Sequence, residues 1–416
     1  MVMKGIRGFK DILPGEVEKW QYVEMEGRRV FGLFGFSELR IPILERTELF
    51  TRSIGEATDI VGKEMYTFLD RDGDSLTLRP EATASLLRAH LEHGLYIKEP
   101  VAKYYFIGPM FRYERPQKGR FRQFHQIDAE IFGVQDARAD AEILVMLMRY
   151  LRTLGIEKLN LQINSLGCPT CRLSYKEDIR NFLWSKRESL CEDCQRRLLT
   201  NPLRIFDCKQ EACQDLLTEA PVVLDYLCPD CREHFGEVKT LLQDLHLPFS
   251  LNPRMVRGLD YYTRTVFEVV AGELGAQNAV TGGGRYDGLA EELGGPHIPA
   301  IGFAIGVERL VLLLAGKEGL FKHPEVFLAT LGEKAQRRGF SLAQELRDAR
   351  VWVEFDYRGK SLKSQMRKAD RMGSSQVIIL GEEELEKNRA ILRDMATKNQ
   401  EEVPLEKIVG RIKAQK

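Results

Sequence analysis

An α+β fold is what this 416-residue sequence predicts: a mainly antiparallel sheet domain interrupted by a helical insertion, then a smaller α/β domain. Three observations carry that reading. Strand-like segments come from widely separated stretches with few strand–helix–strand units between them, which marks an antiparallel sheet with helices packed on it. All eight cysteines fall between Cys168 and Cys231, in a stretch otherwise helical in pattern. That stretch reads as a module inserted between two halves of the sheet. From about Pro324 strands and helices alternate, the texture of a compact α/β domain. The expected boundaries are 1–164 and 252–323 for the two parts of the sheet domain, 165–251 for the insertion and 324–416 for the C-terminal domain.

In order along the chain, residues 16–36 have the periodicity of an amphipathic helix ending near Gly35. Leu39 to Leu49 reads as extended, and Pro42 confines it to an edge or an interface. Met65–Leu69 and Ser75–Leu78 flank Asp70–Gly73, a hairpin signal. Arg79-Pro80-Glu81 leads into a helix over Ala82–His93. Strands are predicted at Val101–Ile107, Phe121–Phe132, Leu159–Ile163, Thr265–Val270 and Ile301–Ile305. In the last domain the order is strand Val326–Leu331, helix Ala335–Arg347, strand Val351–Phe355, helix Leu362–Met372, strand Val377–Leu380.

Composition excludes some classes. Hydrophobic residues make up 44% and charged residues 29% of the chain, values of a globular rather than a disordered protein. Lys+Arg and Asp+Glu both number 61, so any attraction to a polyanion must come from local patches. One such patch is Arg358–Arg371, where Asp370 is the only acid; by itself it reads as a solvated face. The N-terminus lacks the apolar run of a signal peptide. The most apolar stretch, Ile298–Ala315, carries Glu308 and Arg309 at its middle, which argues against a bilayer span. A cytoplasmic location without membrane partners is expected.

The second patch carries the chemistry. In Phe111–Gly133 the residues Arg112, Arg115, Lys118, Arg120 and Arg122 crowd around the turn signal Pro116–Gly119, with Glu114 opposing them. Phe124, Gln126, Asp128 and Glu130 follow at every second position. This predicts a hairpin with a cationic tip, whose second strand points one face into a polar pocket. Cationic groups suit phosphates, and an inward glutamine and glutamate suit a small polar ligand. Four further motifs join it. Glu81 and Thr83 open a helix beside the sheet, where capping is the competing role. Arg257 to Tyr262 places two tyrosines beside an arginine and an aspartate, polar tips that need partners when buried. Thr281 to Gly288 reads as a glycine-rich turn, without the Lys-Ser/Thr of a phosphate-binding P-loop. Gly302 to Leu310 passes from strand into helix, where Gly306 admits a flat ligand and Arg309 aims a planar fork at its phosphates.

Together these motifs resemble the class II aminoacyl-tRNA synthetases, and within them the histidyl-tRNA synthetase family, over nearly the whole chain and in the family's order. The Pro42 segment resembles the first class motif, Phe111–Gly133 the second and Phe303–Leu310 the third. Arg257–Tyr262 and Gly283–Leu289 resemble the two signatures of the histidine enzymes. The resemblance implies a six-stranded antiparallel sheet, a homodimer, and a C-terminal domain that grips the anticodon side of tRNA(His). It implies ATP with Mg²⁺, bound by Arg112, Glu114, Phe124, Arg257 and Arg309, with Arg257 and Arg112 catalytic. It assigns L-histidine to Glu81, Thr83, Gln126, Glu130, Tyr261, Tyr262 and Tyr286, and the tRNA acceptor end to Arg115, Gln117 and Arg120. A non-catalytic regulatory paralogue typically lacks the Arg257–Tyr262 signature and the C-terminal domain, and both are present here. A sister synthetase for another amino acid fits the paired tyrosines and Glu130 less well.

The cysteines depart from the family's minimum, since many members have none at these positions. They form the pairs Cys168/Cys171, Cys191/Cys194, Cys208/Cys213 and Cys228/Cys231. Close pairs in a cytosolic chain favour metal over disulfides, so one or two structural Zn²⁺ are expected. Thiols inherited from a metal-binding ancestor are the alternative.

Overall fold

The computed structural model describes all residues except 1, 56, 57, 59, 118, 273–278, 315, 318, 415 and 416. Lys118 of the cationic tip therefore lies outside the described residues. The chain divides into two units, Met1–Lys317 and Glu318–Lys416.

The first unit is organised by an eight-stranded sheet. Its order is Ser37–Glu38, Ala102–Phe111, Gln123–Phe132, Ala300–Gly306, Ala279–Arg285, Thr263–Ala271, Leu159–Ser165 and Ser250–Leu251. The inner six strands are antiparallel throughout. The implied six-stranded sheet is thus corrected to eight: a two-residue strand is added in parallel at each edge. Each is too short to leave a periodic signal in the sequence.

One face of this sheet carries the main core. Helix Ala137–Thr153 begins at Asp136, whose carboxylate accepts from the Arg138 N–H at 2.8 Å. Its apolar positions bury against the sheet, and helix Val17–Leu33 packs beside it. Phe31 meets Tyr150 and Phe303 there, with ring centroids 5.3 and 6.1 Å away. Each such ring, fully enclosed, contributes roughly 2–3 kcal/mol by leaving water. The opposite face packs helix Thr83–Glu92, through Leu86 and Leu87, against Phe106, Phe132 and the Tyr261–Tyr262 corner.

The predicted hairpins and their strands form within a few residues of the expected bounds. Two local readings differ. Leu39–Leu49 is not extended to its end, because helix Thr47–Ile54 starts inside it. The stretch Thr281–Arg285, read as a turn, is part of the sheet's most central pair of strands.

The second unit holds a five-stranded sheet in the order Val353–Phe355, Val326–Thr330, Gln376–Leu380, Arg389–Asp394, Gln400–Pro404. The first three strands are parallel, and the last two extend the sheet antiparallel. Helix Glu333–Asp348 buries Leu342 and Leu346 against Val326 and Leu328. Buried Gln365 ties the end of strand Val326–Thr330 to the turn before its own helix: it donates to the carbonyls of Thr330 and Lys360 and accepts from the Thr330 N–H. No helix among the described residues is long and apolar enough to cross a membrane.

Candidate active site

A cavity of about 550 Å³ opens on the sheet face that carries helix Thr83–Glu92, within the range of small-molecule sites. One end is acidic and phenolic, the other cationic.

The acidic end is built around Glu130. Strand alternation puts Phe124, Gln126, Asp128 and Glu130 on one face, and Phe124, Gln126 and Glu130 line the cavity. Asp128 is enclosed but is not among the lining residues. Glu130 accepts from the Thr83 hydroxyl at 2.8 Å and the Tyr286 hydroxyl at 2.5 Å. Burial pushes its carboxyl from 4.5 to about 8, with the two hydroxyls pulling the other way. Its strand partner is Gly302. A Cβ there would occupy the place of the Glu130 carboxylate, so glycine is what lets this long side chain lie over the sheet. Glu81 does cap its helix, accepting from the N–H groups of Thr83 and Ala84 at 2.9 Å each, and it also lines the cavity. The two roles weighed from sequence coexist. Tyr261 stacks near Tyr262 and Tyr286, with centroids 4.7 and 5.4 Å away. Burial raises all three phenols, keeping them protonated donors.

The cationic end gathers Arg112, Arg120, Arg257 and Arg309. Arg112 donates to the Pro80 carbonyl at 2.8 Å and lies 5.2 Å from the Phe124 ring centroid. Arg309 donates to the Ala279 carbonyl, and burial together with Arg120 and Arg112 lowers its affinity for its proton. Guanidinium groups held together against their own repulsion form a site that an anion stabilises. Arg120, which the resemblance assigns to the tRNA acceptor end, also lines the cavity and pairs with Glu114 at 3.1 Å. Arg115 and Gln117 are exposed.

Arg257 reaches the cavity from the irregular stretch before strand Thr263–Ala271 and pairs with Glu268 at 3.1 Å. Its guanidinium lies across Gly282, where any Cβ would collide with it. Gly282 is thereby explained: the floor must be flat there for an arginine to lie on it, whereas Gly283 and Gly284 are crowded by the Gly302 and Thr265 carbonyls. Gly282→Ala is expected to displace that guanidinium and slow chemistry there by about 10–100-fold, read as a fall in turnover with the melting temperature little changed. Arg285 and Asp287 of the same motif do other work. Arg285 is fully buried and pairs with Asp140 at 2.7 Å and Asp287 at 3.1 Å, fastening strand Ala279–Arg285 to helix Ala137–Thr153.

Sequence reasoning missed Glu268, Glu308, Asp207 and Lys209 on the cavity wall. Alternation along Thr263–Ala271 could have found Glu268. Glu308 accepts from the His125 N–H at 2.9 Å, tying the third motif to the second. Asp207 and Lys209 come from the insertion and carry no local signal.

The cysteines form two tetrads. Cys168, Cys171, Cys228 and Cys231 make one, and Cys191, Cys194, Cys208 and Cys213 the other, with sulfurs in each within 4.8 Å of one another. All are free thiols. The second tetrad is nested in sequence inside the first.

Residues 8–310 match the family described as histidyl-tRNA synthetase, and residues 325–415 match an anticodon binding domain. The histidine–tRNA ligase of Geobacter metallireducens is 54% identical over 414 residues, spanning 99% of this chain and 100% of that one. The histidine–tRNA ligase of Geobacter sulfurreducens is 55% identical over 413 residues, with coverage of 99% and 100%. The apo crystal structure of Staphylococcus aureus histidyl-tRNA synthetase matches with a TM-score of 0.85 at 35% identity, covering 99% of this chain and 100% of that one. A Bacillus halodurans C structure described as an ATP phosphoribosyltransferase regulatory subunit/histidyl-tRNA synthetase matches with a TM-score of 0.68 at 19% identity over 92% and 99% of the chains, a likeness of fold alone.

Proposed function

The chain belongs to the histidyl-tRNA synthetase family and attaches histidine to tRNA(His) with ATP, and from that premise we propose how its residues divide the work. The observation that carries the proposal is one cavity with Glu130, held by two hydroxyls, at one end and a cluster of arginines at the other.

Histidine occupies the acidic end. Glu130 accepts from an imidazole N–H, a tyrosine hydroxyl donates to the other ring nitrogen, and Glu81, Thr83 and Gln126 hold the α-ammonium group. A site of such pairs rejects an apolar isostere by about 10⁴-fold, because its own groups are left unpaired. Mg²⁺ arrives with ATP as the counter-ion of its triphosphate. Arg112 holds the α-phosphate and stacks near adenine, Phe124 and Glu114 complete the nucleotide's place, and Arg309 takes the γ-phosphate. A carboxylate oxygen of histidine then attacks the α-phosphorus in line. The bond to the bridging oxygen breaks and pyrophosphate leaves. Arg257, with Arg112, stabilises charge that develops on the α-phosphate, which is electrostatic preorganisation rather than covalent catalysis. In the second step the 3′-terminal adenosine hydroxyl of tRNA attacks the acyl carbon and AMP leaves. Arg115, Gln117 and Arg120 at the hairpin tip meet the acceptor end, and the C-terminal unit binds the anticodon side. Histidine-dependent pyrophosphate exchange tests the assignment; exchange with another amino acid but not with histidine overturns it.

The Glu130 carboxyl at about 8 has a measurable consequence. In the empty site at pH 7 it is mostly protonated, whereas accepting from histidine requires the carboxylate. Histidine binding at pH 7 is therefore expected to release a proton from Glu130, and that release fades as pH rises through about 8. Titration calorimetry in two buffers of different ionisation enthalpy reads this directly; equal heats at pH 7 show that Glu130 does not meet the imidazole as a carboxylate. For the free protein the sign is the same. This group's contribution to stability is full below pH 4.5 and is lost as pH rises through about 8.

The eight thiols hold two structural Zn²⁺, one per tetrad. The donor set fits: each tetrad offers four sulfurs, and Cys168–Cys171 at 3.5 Å and Cys191–Cys208 at 3.8 Å resemble the roughly 3.8 Å edge of a tetrahedron with 2.3 Å Zn–S bonds. Zinc supplies folding free energy here and takes no part in the reaction. Free thiols of this kind suit a reducing compartment, the cytoplasm. The protein works as a homodimer. Ile43 and Leu44, beside Pro42, and Phe68 and Leu69, on the adjoining hairpin, are large apolar side chains left exposed. Sedimentation equilibrium is expected to give twice the chain mass at micromolar concentration; a single-chain mass refutes the dimer.

A further inference from the structure

Outside the cavity, the segment that carries Arg257, Tyr261 and Tyr262 has almost no regular structure of its own. Its backbone and one of its side chains are held instead by the insertion. Arg204 donates from Nη1 to the Arg257 carbonyl at 2.9 Å and pairs with Asp207 at 3.0 Å. Asn201 donates to the Asp260 carboxylate at 3.1 Å. Arg172 donates from Nη1 to the Tyr262 carbonyl at 2.9 Å. None of these three side chains lines the cavity. They act on the far side of the residues that do.

Their places in the chain are specific. Arg172 follows Cys171 directly, in helix Pro169–Trp184, which Cys168 precedes, so it is rooted in the outer tetrad. Asn201 and Arg204 sit in a short stretch between Cys194 and Cys208, two members of the inner tetrad. Both sulfur clusters also accept from backbone N–H groups: Cys171 from Cys228 at 3.2 Å, Cys213 from Cys191 at 3.3 Å and Cys208 from Gln210 at 3.4 Å. Such bonds stabilise thiolates and fix the turns that bear them. The inner stretch therefore has both ends clamped to one point, and a short clamped stretch has few ways to move its arginine.

We propose that the two four-cysteine sites are anchors from which Arg204 and Arg172 position the backbone of Arg257 and Tyr262, so that metal in the insertion sets the geometry of the adenylation site. Arg204 and Arg172 are positioning residues and touch no substrate. The inner site acts on the arginine that meets the α-phosphate, and the outer site acts on the tyrosine that meets histidine. The two arms are thus kinetically distinct. The proposal rests on the zinc and histidine readings given above. A displacement of an ångström at a reacting group costs up to about 10²-fold in rate, so modest slackening is enough to register.

The test is tRNA-free pyrophosphate exchange on full-length protein, with zinc content and melting temperature measured on the same samples. Arg204→Ala is expected to lower kcat about tenfold with the KM for histidine within about twofold of the parent, and Arg172→Ala to raise that KM about tenfold with a smaller change in kcat. Both keep two zinc ions. Arg204→Lys, which can still donate one bond to the carbonyl, is expected to recover part of the loss. Cys208→Ser and Cys228→Ser are each expected to drop one zinc and to reproduce the Arg204 and the Arg172 pattern respectively. Two zinc ions with parental kinetics in both arginine variants overturn the coupling, whatever their melting temperatures. A parent protein without zinc overturns the metal anchors separately, and a parent protein without histidine-dependent exchange overturns the underlying function.

Discussion

Replacing Arg257 with alanine is expected to slow histidine-dependent pyrophosphate exchange by about 10²–10³-fold, the usual loss when a preorganised donor to a developing oxyanion is removed. The side chain is placed for that effect. It lies flat over Gly282, is held by Glu268 at 3.1 Å, and faces the same cavity as Arg112 and Arg309. The loss should fall on kcat, because the residues proposed to hold histidine, Glu130, Tyr286 and Thr83 among them, are untouched. Folding should be little affected, since Glu268 is left part-exposed rather than buried without a partner. Combining Arg257→Ala with Gly282→Ala provides the sharper check. If the glycine matters through the guanidinium, the double variant is no slower than Arg257→Ala alone. Parental exchange rates in Arg257→Ala would take the residue out of the mechanism.

The second large effect is on tRNA. A chain ended before Pro324 is expected to keep histidine-dependent exchange within a few-fold of the parent but to lose at least about 10²-fold in tRNA charging, as when one of two linked binding modules is removed. Residues 325–415 match an anticodon binding domain and have their own buried core, Val326 through Ile412, so the cavity's walls come entirely from the other unit. Charging at parental efficiency would show that this unit is not the tRNA grip.

Much of this was legible in the sequence because local chemistry and tertiary demand agree there. The hairpin around Pro116–Gly119 has turn residues, strand alternation and charge all pointing the same way, and Phe124, Gln126 and Glu130 face the cavity as alternation requires. Where the two disagree, reading failed. Gly282, Gly283 and Gly284 have poor strand propensity, yet they lie in a central strand because Arg257, the Gly302 carbonyl and the Thr265 carbonyl approach too closely for a Cβ. Propensity gave way to packing. The edge strands Ser37–Glu38 and Ser250–Leu251 have no period to detect at two residues each. The spacing of the cysteines suggested metal, but which pairs join is a matter of how the insertion folds back. The outer pairs, more than fifty residues apart, meet only because helices Pro169–Trp184 and Pro229–Asp244 begin side by side.

The order of strands in the large sheet also dictates when it can be finished. Its two innermost strands, Ala279–Arg285 and Ala300–Gly306, are among the last parts of their unit to be synthesised, whereas the hairpin Ala102–Phe132 emerges early. At about 5–20 residues per second, that hairpin waits on the order of ten to thirty seconds with one side unpaired before Ala300–Gly306 arrives to close it. Until then Gln123–Phe132 is an open template for any other extended chain. A nascent polypeptide arrested short of residue 300 is thus the aggregation-prone form of this protein, and a chaperone that shields a bare strand would help it more than one that speeds a local step.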